Sequence, residues 1–269
     1  MDLAACLNQV INADCLEFLV KLPSNSIDCV LIDSPYCSGG AKSLNSRNKN
    51  TTAKYGTDRA VAYHHFVGDG KDQRVWAFWI QSVFRQFERV LKPSSYFFSF
   101  IDWRALPALS DTIQLADLAW RGIVVWNKGN QARPFANAFK QQCEFILWGT
   151  KGDLPRPLEP TYHYGYIDAP INYVHGNLHP KDKIHSTEKP VKLLNHLLQI
   201  VPKGDTPPVV LDCFCGSGSA LEAAASLGLA YIGVEKSPEY AQIAQKRMRS
   251  ILGGVVVSAP LALLRRLHA

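Results

Sequence analysis

Apolar residues along the chain fall into two rhythms. Short unbroken runs bounded by turn formers recur at NQVIN (8–12), DCVLID (28–33), SYFFSFI (95–101), GIVVW (122–126), EFILW (144–148), VVLD (209–212) and AYIGVE (230–235). Their length and their β-branched and aromatic content predict buried strands. Between them the spacing turns helical. Cys15 to Leu22 forms one such segment, ended by Pro23. Val75, Phe78, Trp79, Val83, Phe87, Val90 and Leu91 mark a longer one, with Pro93 just beyond, and its aromatic stripe reads as core. PVKLLNHLLQIV opens at Pro190, a favoured first helical position. The last helix has Ser237 as N-cap, Pro238 at its first position, and Tyr240, Ile243, Ala244, Met248 and Ile251 on one face. Strands alternating with helices predict an α/β fold around a parallel sheet. Two stretches lack either rhythm: 37–74, polar and basic, and 153–185, rich in Pro, Tyr and His. Loops of that length inside a domain are usually functional.

The segment VVLDCFCGSGS has the form of a strand entering a tight turn and then a helix whose amino end faces a ligand. Only one more strand and helix follow, too few for a doubly wound sheet. The other strands must come from the amino-terminal half, so the fold reads as circularly permuted. Gly216 and Gly218 supply G-x-G, but Leu221 stands where a dinucleotide fingerprint has its third glycine. Glu235 closes the next strand 19 residues after Gly216, close to the spacing at which an acid binds ribose hydroxyls. A nucleoside without a diphosphate satisfies both features, and S-adenosyl-L-methionine is such a ligand; a plain glycine turn beside a surface glutamate satisfies them too.

The strand at 29–32 ends in Asp33-Ser34-Pro35-Tyr36. At the carboxyl edge of such a sheet, where ligands bind, the Asp33 carboxylate can accept a hydrogen bond from an exocyclic amine. Pro35 fixes its own φ and holds Ser34 extended, so the Ser34 carbonyl can act as a second acceptor. Two acceptors localise the amine lone pair, and Tyr36 offers a face for stacking a base flipped out of a helix. The plainer alternative is a strand-to-loop turn.

Composition narrows the class. The 269 residues are 47% hydrophobic and 19% charged, ordinary for a soluble globular protein. No apolar run approaches the roughly 20 residues of a membrane span, and no secretory signal is visible. The seven cysteines (6, 15, 29, 37, 143, 213 and 215) are odd in number and form no C-x-x-C pair. They read as reduced thiols of a cytoplasmic protein. His163, His175 and His179 are too irregularly spaced for a metal set, so no metal is expected. The net charge of +6 permits a nucleic-acid partner. Lys42, Arg47, Lys49, Lys54 and Arg59 stand against Asp58 alone just after the amine site, interleaved with Asn and Ser suited to phosphate contacts.

Five motifs in this order resemble the amino-directed DNA methyltransferases of the permuted β type. DSPY resembles the family's Asp-Pro-Pro-Tyr amine site, and DCFCGSGS its D-x-F-x-G-S-G-T cofactor loop. INADCLEFLVKLPSNSIDCVLIDSPY is similar to the family's opening, FERVLKP to its helix end, HSTEKPVKLLNHLL to its H-x-T-x-K-P helix, and YIGVEKSPEYAQIAQKRM to its ribose-acid strand and helix. The resemblance implies a single doubly wound, mostly parallel, Rossmann-like S-adenosylmethionine-dependent methyltransferase fold over 1–252. It would carry two DNA-contacting insertions, 37–74 and a short target-recognition region at 153–185, and a tail at 253–269. It implies that Asp33, Ser34, Pro35 and Tyr36 form the amine site. Asp212, Phe214, Gly216 and Gly218 would cradle the cofactor and Glu235 its ribose, with Asp14 near the adenine and His185, Thr187 and Lys189 near the methionine. Ser34 departs from the usual proline and Ser219 from the usual threonine. Asp in first place of the tetrapeptide leans toward N6-adenine, because N4-cytosine members more often begin with Ser. The short recognition region implies a short or degenerate target. N4-cytosine methylation, a non-catalytic nucleic-acid-binding subunit, and an enzyme on RNA or a protein amide stay open as alternatives. The terminal LALLRRLHA reads equally as a homodimer contact, a core element or a frayed end.

Overall fold

The computed structural model describes residues 1–36, 73–129, 136–156, 161–170 and 188–254. Eight strands form one sheet: β1 (Gln9–Asn12), β2 (Ile27–Ile32), β3 (Leu91–Ile101), β4 (Ala119–Asn127), β5 (Cys143–Thr150), β6 (Tyr166–Asp168), β7 (Val209–Asp212) and β8 (Ala230–Glu235). The helices are α1 (Cys15–Leu19), α2 (Gln73–Val90), α3 (Leu106–Leu115), α4 (Val191–Leu198), α5 (Ser219–Ser226) and α6 (Pro238–Gly254).

The spatial order is β1-β8-β7-β2-β3-β5-β4-β6. Every neighbouring pair is parallel except the two made by β5, which runs against β3 and β4. The sheet is therefore mixed but mostly parallel. A strand buried on both faces needs apolar residues at every position, and β2 shows why its sequence does not alternate. Val30 and Ile32 enter a core shared with α1, α2 and α3, while Cys29 and Leu31 enter a second core under α4, α5 and α6.

Three features differ from the sequence reading. The buried stripe of α2 is Trp76, Ile80, Val83, Phe84, Phe87 and Val90; Val75 is exposed and Phe78 is 77% exposed. The first turns of α2 are apolar almost all round, so composition left the phase of the stripe undetermined. Leu91 belongs to β3, which follows α2 without a loop. Pro190 is the N-cap of α4, its φ of −62° and ψ of 131° being extended. Two elements showed no rhythm in sequence: α3, and β6, which lies inside the stretch read as irregular. A three-residue strand is too short to display alternation. β6 is held by its pairing with β4, by burial of Ile167, and by the Trp126 indole donating to the Ala169 carbonyl at 2.6 Å.

Candidate active site

From β2 the chain leads to β3 on one side, and from β7 through α5 to β8 on the other. Between β7 and β2 the winding direction reverses, and a crevice opens beyond their carboxyl ends, the usual ligand position in such sheets. A cavity of about 210 Å³ lies there, lined by Asp33 to Tyr36 from the end of β2 and Asp212 to Ser217 from the end of β7. Glu235, Lys189, Asp14, Trp79 and Phe100 are also part of the wall.

Ser34 is only 1% exposed, and its hydroxyl has no hydrogen-bond partner among the described residues. Asp33 Oδ2 accepts a hydrogen bond from Lys189 Nζ at 2.5 Å. Lys189 precedes α4, is 7% exposed, and lies 3.7 Å from Glu144 Oε2 and 5.2 Å above the Phe100 ring. Glu144 Oε1 in turn accepts from Lys128 Nζ at 3.0 Å. Charges thus alternate from Asp33 through Lys189 and Glu144 to Lys128. Burial opposes the Lys189 charge, but Asp33 and Glu144 outweigh it and hold the ammonium above the ordinary lysine range. Burial likewise pushes Glu144 up, and Lys189 with Lys128 more than offsets it, holding the carboxyl low. Because β5 is antiparallel, its first residues lie at the edge where β2, β3 and β4 end. That reversal brings Glu144 to Lys128 and Phe100.

The second half of the site is the glycine turn. Gly216 and Gly218 have φ of 51° and 87°, the left-handed region that glycine enters freely. A Cβ on Gly218 would also come within 3.2 Å of the Ala244 methyl, so glycine lets α6 approach the start of α5. Gly216 N–H and Ser237 N–H donate to opposite oxygens of Glu235 at 2.9 and 2.8 Å, fixing that carboxylate at the end of β8. Burial raises the Glu235 pKa despite these donors. The Phe214 ring meets Trp79 edge-on at 5.6 Å. Asp14 is the N-cap of α1, accepting from Leu16 N–H at 2.9 Å and from Lys236 Nζ at 3.0 Å. Burial opposes its charge, and Lys236 with the backbone amides lowers its pKa.

Asp212 accepts one backbone hydrogen bond from Phe214 N–H at 2.9 Å. Burial, with Asp33 and Glu235 adding repulsion, pushes its carboxyl up to about 8. Folded chains keep this proton up to about pH 8, whereas an unfolded aspartate loses it near pH 4. The group therefore subtracts stability as pH rises through that window, and its full cost is present above it. Asp212→Asn is expected to melt close to the parent at pH 5 and above it at pH 9. The gain grows as pH rises through that window and is full at pH 9, raising the melting midpoint there by several degrees. Melting curves across this pH range check it; a gain that is constant with pH refutes the assignment.

Behind the glycine turn, Arg247 of α6 donates from Nε to Glu222 Oε2 at 2.5 Å and from Nη1 to Glu188 Oε1 at 2.7 Å. Its Nη1 also reaches the Ser217 carbonyl at 3.3 Å. This buried group ties α5, α6 and the turn to the segment carrying Lys189.

Of the residues expected at the site, Asp14, Asp33, Ser34, Pro35, Tyr36, Lys189, Asp212, Phe214, Gly216 and Glu235 line the one cavity, while Gly218 stands behind it as the N-cap of α5. Lys189 was expected near a cofactor's methionine; the structure puts its ammonium on Asp33. Trp79, read as core, is also cavity wall. His185, Thr187 and the basic set Lys42, Arg47, Lys49, Lys54 and Arg59 lie outside the described residues, as do His175 and His179. Sequence reasoning missed Glu144, Lys128, Glu188 and Arg247. Glu144 alone left a signal, a carboxylate opening an otherwise apolar strand.

Such a crevice, walled by carboxylates, aromatic faces and a glycine turn at the carboxyl ends of β2 and β7, defines a Rossmann-like site for a nucleoside-like ligand. The profile of the DNA methylase family matches residues 27–246, and the chain belongs to that family of N6/N4 DNA methyltransferases. YubD of Escherichia coli, a protein provisionally named a methylase, is 27% identical over 246 residues, covering 91% of this chain and 92% of its own. The solved M1.HpyAVI–SAM complex has 20% identity and a TM-score of 0.61, with 89% of this chain and 98% of that one covered. PvuII DNA methyltransferase, described as cytosine-N4-specific, has 15% identity and a TM-score of 0.64, covering 91% and 90%. The last two share the fold.

Proposed function

We propose that this DNA methyltransferase moves the methyl group of S-adenosyl-L-methionine to the exocyclic N6 of an adenine flipped out of the duplex, at a short or degenerate target. The carrying observation is that Asp33 to Tyr36, the glycine turn and Glu235 line one cavity. The residues fit the cofactor. Glu235, held by two backbone donors, has lone pairs left for ribose hydroxyls, and Phe214 and Trp79 supply apolar wall. The SAM-bound M1.HpyAVI structure supports the same assignment. When bound, the cofactor supplies a methyl group activated by positive sulfur.

The protein's part is positioning and charge. Asp33 and the Ser34 carbonyl accept the two amine hydrogens, which aims the nitrogen lone pair, and Tyr36 stacks on the base. As the new N–C bond forms and the methyl–sulfur bond breaks, leaving a neutral thioether, the nitrogen would become cationic, and the Asp33 carboxylate would stabilise that charge until the surplus proton passes to solvent. Lys42, Arg47, Lys49, Lys54 and Arg59 would hold phosphates. Tyr162 and Tyr164, both exposed, belong to the 153–185 stretch and suit base stacking. PvuII methyltransferase shows that the fold also serves N4-cytosine; Asp rather than Ser at position 33 supports adenine.

The test is transfer of labelled methyl from S-adenosyl-L-methionine to unmethylated DNA, followed by nucleoside analysis, with Asp33→Ala as control. Label in N6-methyladenine that vanishes in the control is expected. Label in N4-methylcytosine overturns the base assignment, and cofactor binding without label on DNA moves the search to RNA and protein acceptors.

A further inference from the structure

We propose that Glu144 is a positioning residue for methyl transfer: it is the second seat of Lys189, which it draws from Asp33 when the target amine engages that carboxylate. The inference rests on Asp33 as amine acceptor. Lys189 stands between two carboxylates, 2.5 Å from Asp33 Oδ2 and 3.7 Å from Glu144 Oε2. Glu144 Oε1 is engaged by Lys128 at 3.0 Å, whereas buried Oε2 has the Lys189 ion pair at 3.7 Å but no hydrogen bond among the described residues. A buried acceptor left in that state costs about 1–3 kcal/mol, and native proteins rarely leave one without a use. Its use here follows from the competition at Asp33. A charged ammonium outbids a neutral amine for the same carboxylate, and while seated there it cancels the negative charge that the transition state needs.

A shift of roughly 1 Å brings Lys189 Nζ from 3.7 Å into hydrogen-bond range of Glu144 Oε2. The Phe100 ring, 5.2 Å from the ammonium, faces it in its present seat. No bond is made or broken and no proton is transferred, since Lys189 stays charged in both seats. Lys128 has a complementary task. By occupying Oε1 it keeps Glu144 ionised and leaves only Oε2 to receive Lys189.

The experiment measures steady-state methyl transfer to unmethylated DNA by the full chain carrying Glu144→Gln or Glu144→Asp, beside Asp33→Ala and thermal melts. The amide of Glu144→Gln keeps an acceptor oxygen but no charge, so it competes only weakly with Asp33 for the ammonium. We expect kcat to fall by roughly 10- to 100-fold, with KM for the cofactor within about twofold. Glu144→Asp keeps the charge one methylene further away and recovers a large part of the loss. Should the Gln variant melt early, the folded Asp variant carries the comparison through its intermediate kcat. Turnover equal to the parent in both Glu144 variants, with Asp33→Ala inactive, overturns the hand-over alone. Equal losses in both variants, or a loss confined to KM, overturn it as well. Activity in Asp33→Ala overturns the acceptor assignment and the hand-over with it.

Discussion

Asparagine at position 33 is expected to cut kcat by about 10²- to 10³-fold while leaving cofactor affinity nearly unchanged. The side chains are isosteric, so the cavity keeps its shape and the lining from β7 and β8 is untouched. The change removes the negative charge facing the attacking nitrogen, and that charge matters only once the nitrogen turns cationic. It also replaces one acceptor oxygen by an NH₂ donor, which opposes the amine hydrogens that two acceptors would orient. Lys189, deprived of its Asp33 partner, retains Glu144 at 3.7 Å, so the buried ammonium keeps one counter-charge and the fold survives. Kinetics with labelled cofactor, set against a cofactor-binding titration, check this. A fall of less than tenfold in kcat would mean that the carboxylate does not face the developing charge.

The largest loss of stability is expected from Arg247→Met. Glu188, whose side chain is 1% exposed, and Glu222 share one guanidinium. Methionine fills much of the same volume but takes the guanidinium away from buried Glu188 and half-buried Glu222. Breaking a buried ion pair in that way costs about 3–5 kcal/mol, which for a domain of this size lowers the melting midpoint by about 10 °C. Adding Glu188→Gln and Glu222→Gln removes the stranded charges, and the triple variant is expected to recover most of the loss. Denaturant titrations of the single and triple variants decide the matter. A triple variant no better than the single one would place the cost in packing rather than charge.

The sequence made the sheet's interior legible because strands covered on both faces must be apolar throughout, and these runs are short, bounded by turn formers and rich in β-branched and aromatic residues. The two halves of the cavity were legible for a related reason: a carboxylate and a proline ending one such run, and two glycines ending another, are unusual enough to be noticed. What stayed hidden depends on distance. Lys189 meets Asp33 across 156 residues, and no local pattern encodes that meeting. Glu144 reaches the same place only because β5 runs backwards, a property of the assembled sheet. The phase of α2 was misjudged at Val75 and Phe78 because apolar residues surround its first turns. β6 was missed because three residues carry no period.

The strand order also governs how the molecule comes into being. β1 and β2 emerge first during synthesis, yet two strands separate them in the sheet, and those two, β8 and β7, are nearly the last to be made. Until residues 209–235 are available, the inner edge of β2 has no partner, and β1 has none at all. Such edges recruit other chains, and closing contacts across most of the sequence is slow. Refolding after dilution from denaturant is therefore expected to be limited by insertion of the β7–α5–β8 unit between β1 and β2, and a chain halted before it is expected to present an unpaired sheet edge. That unit also brings the glycine turn and Glu235. The step that seals the sheet is thus the step that completes the proposed cofactor site, so a chain halted before it is expected not to sequester the cofactor.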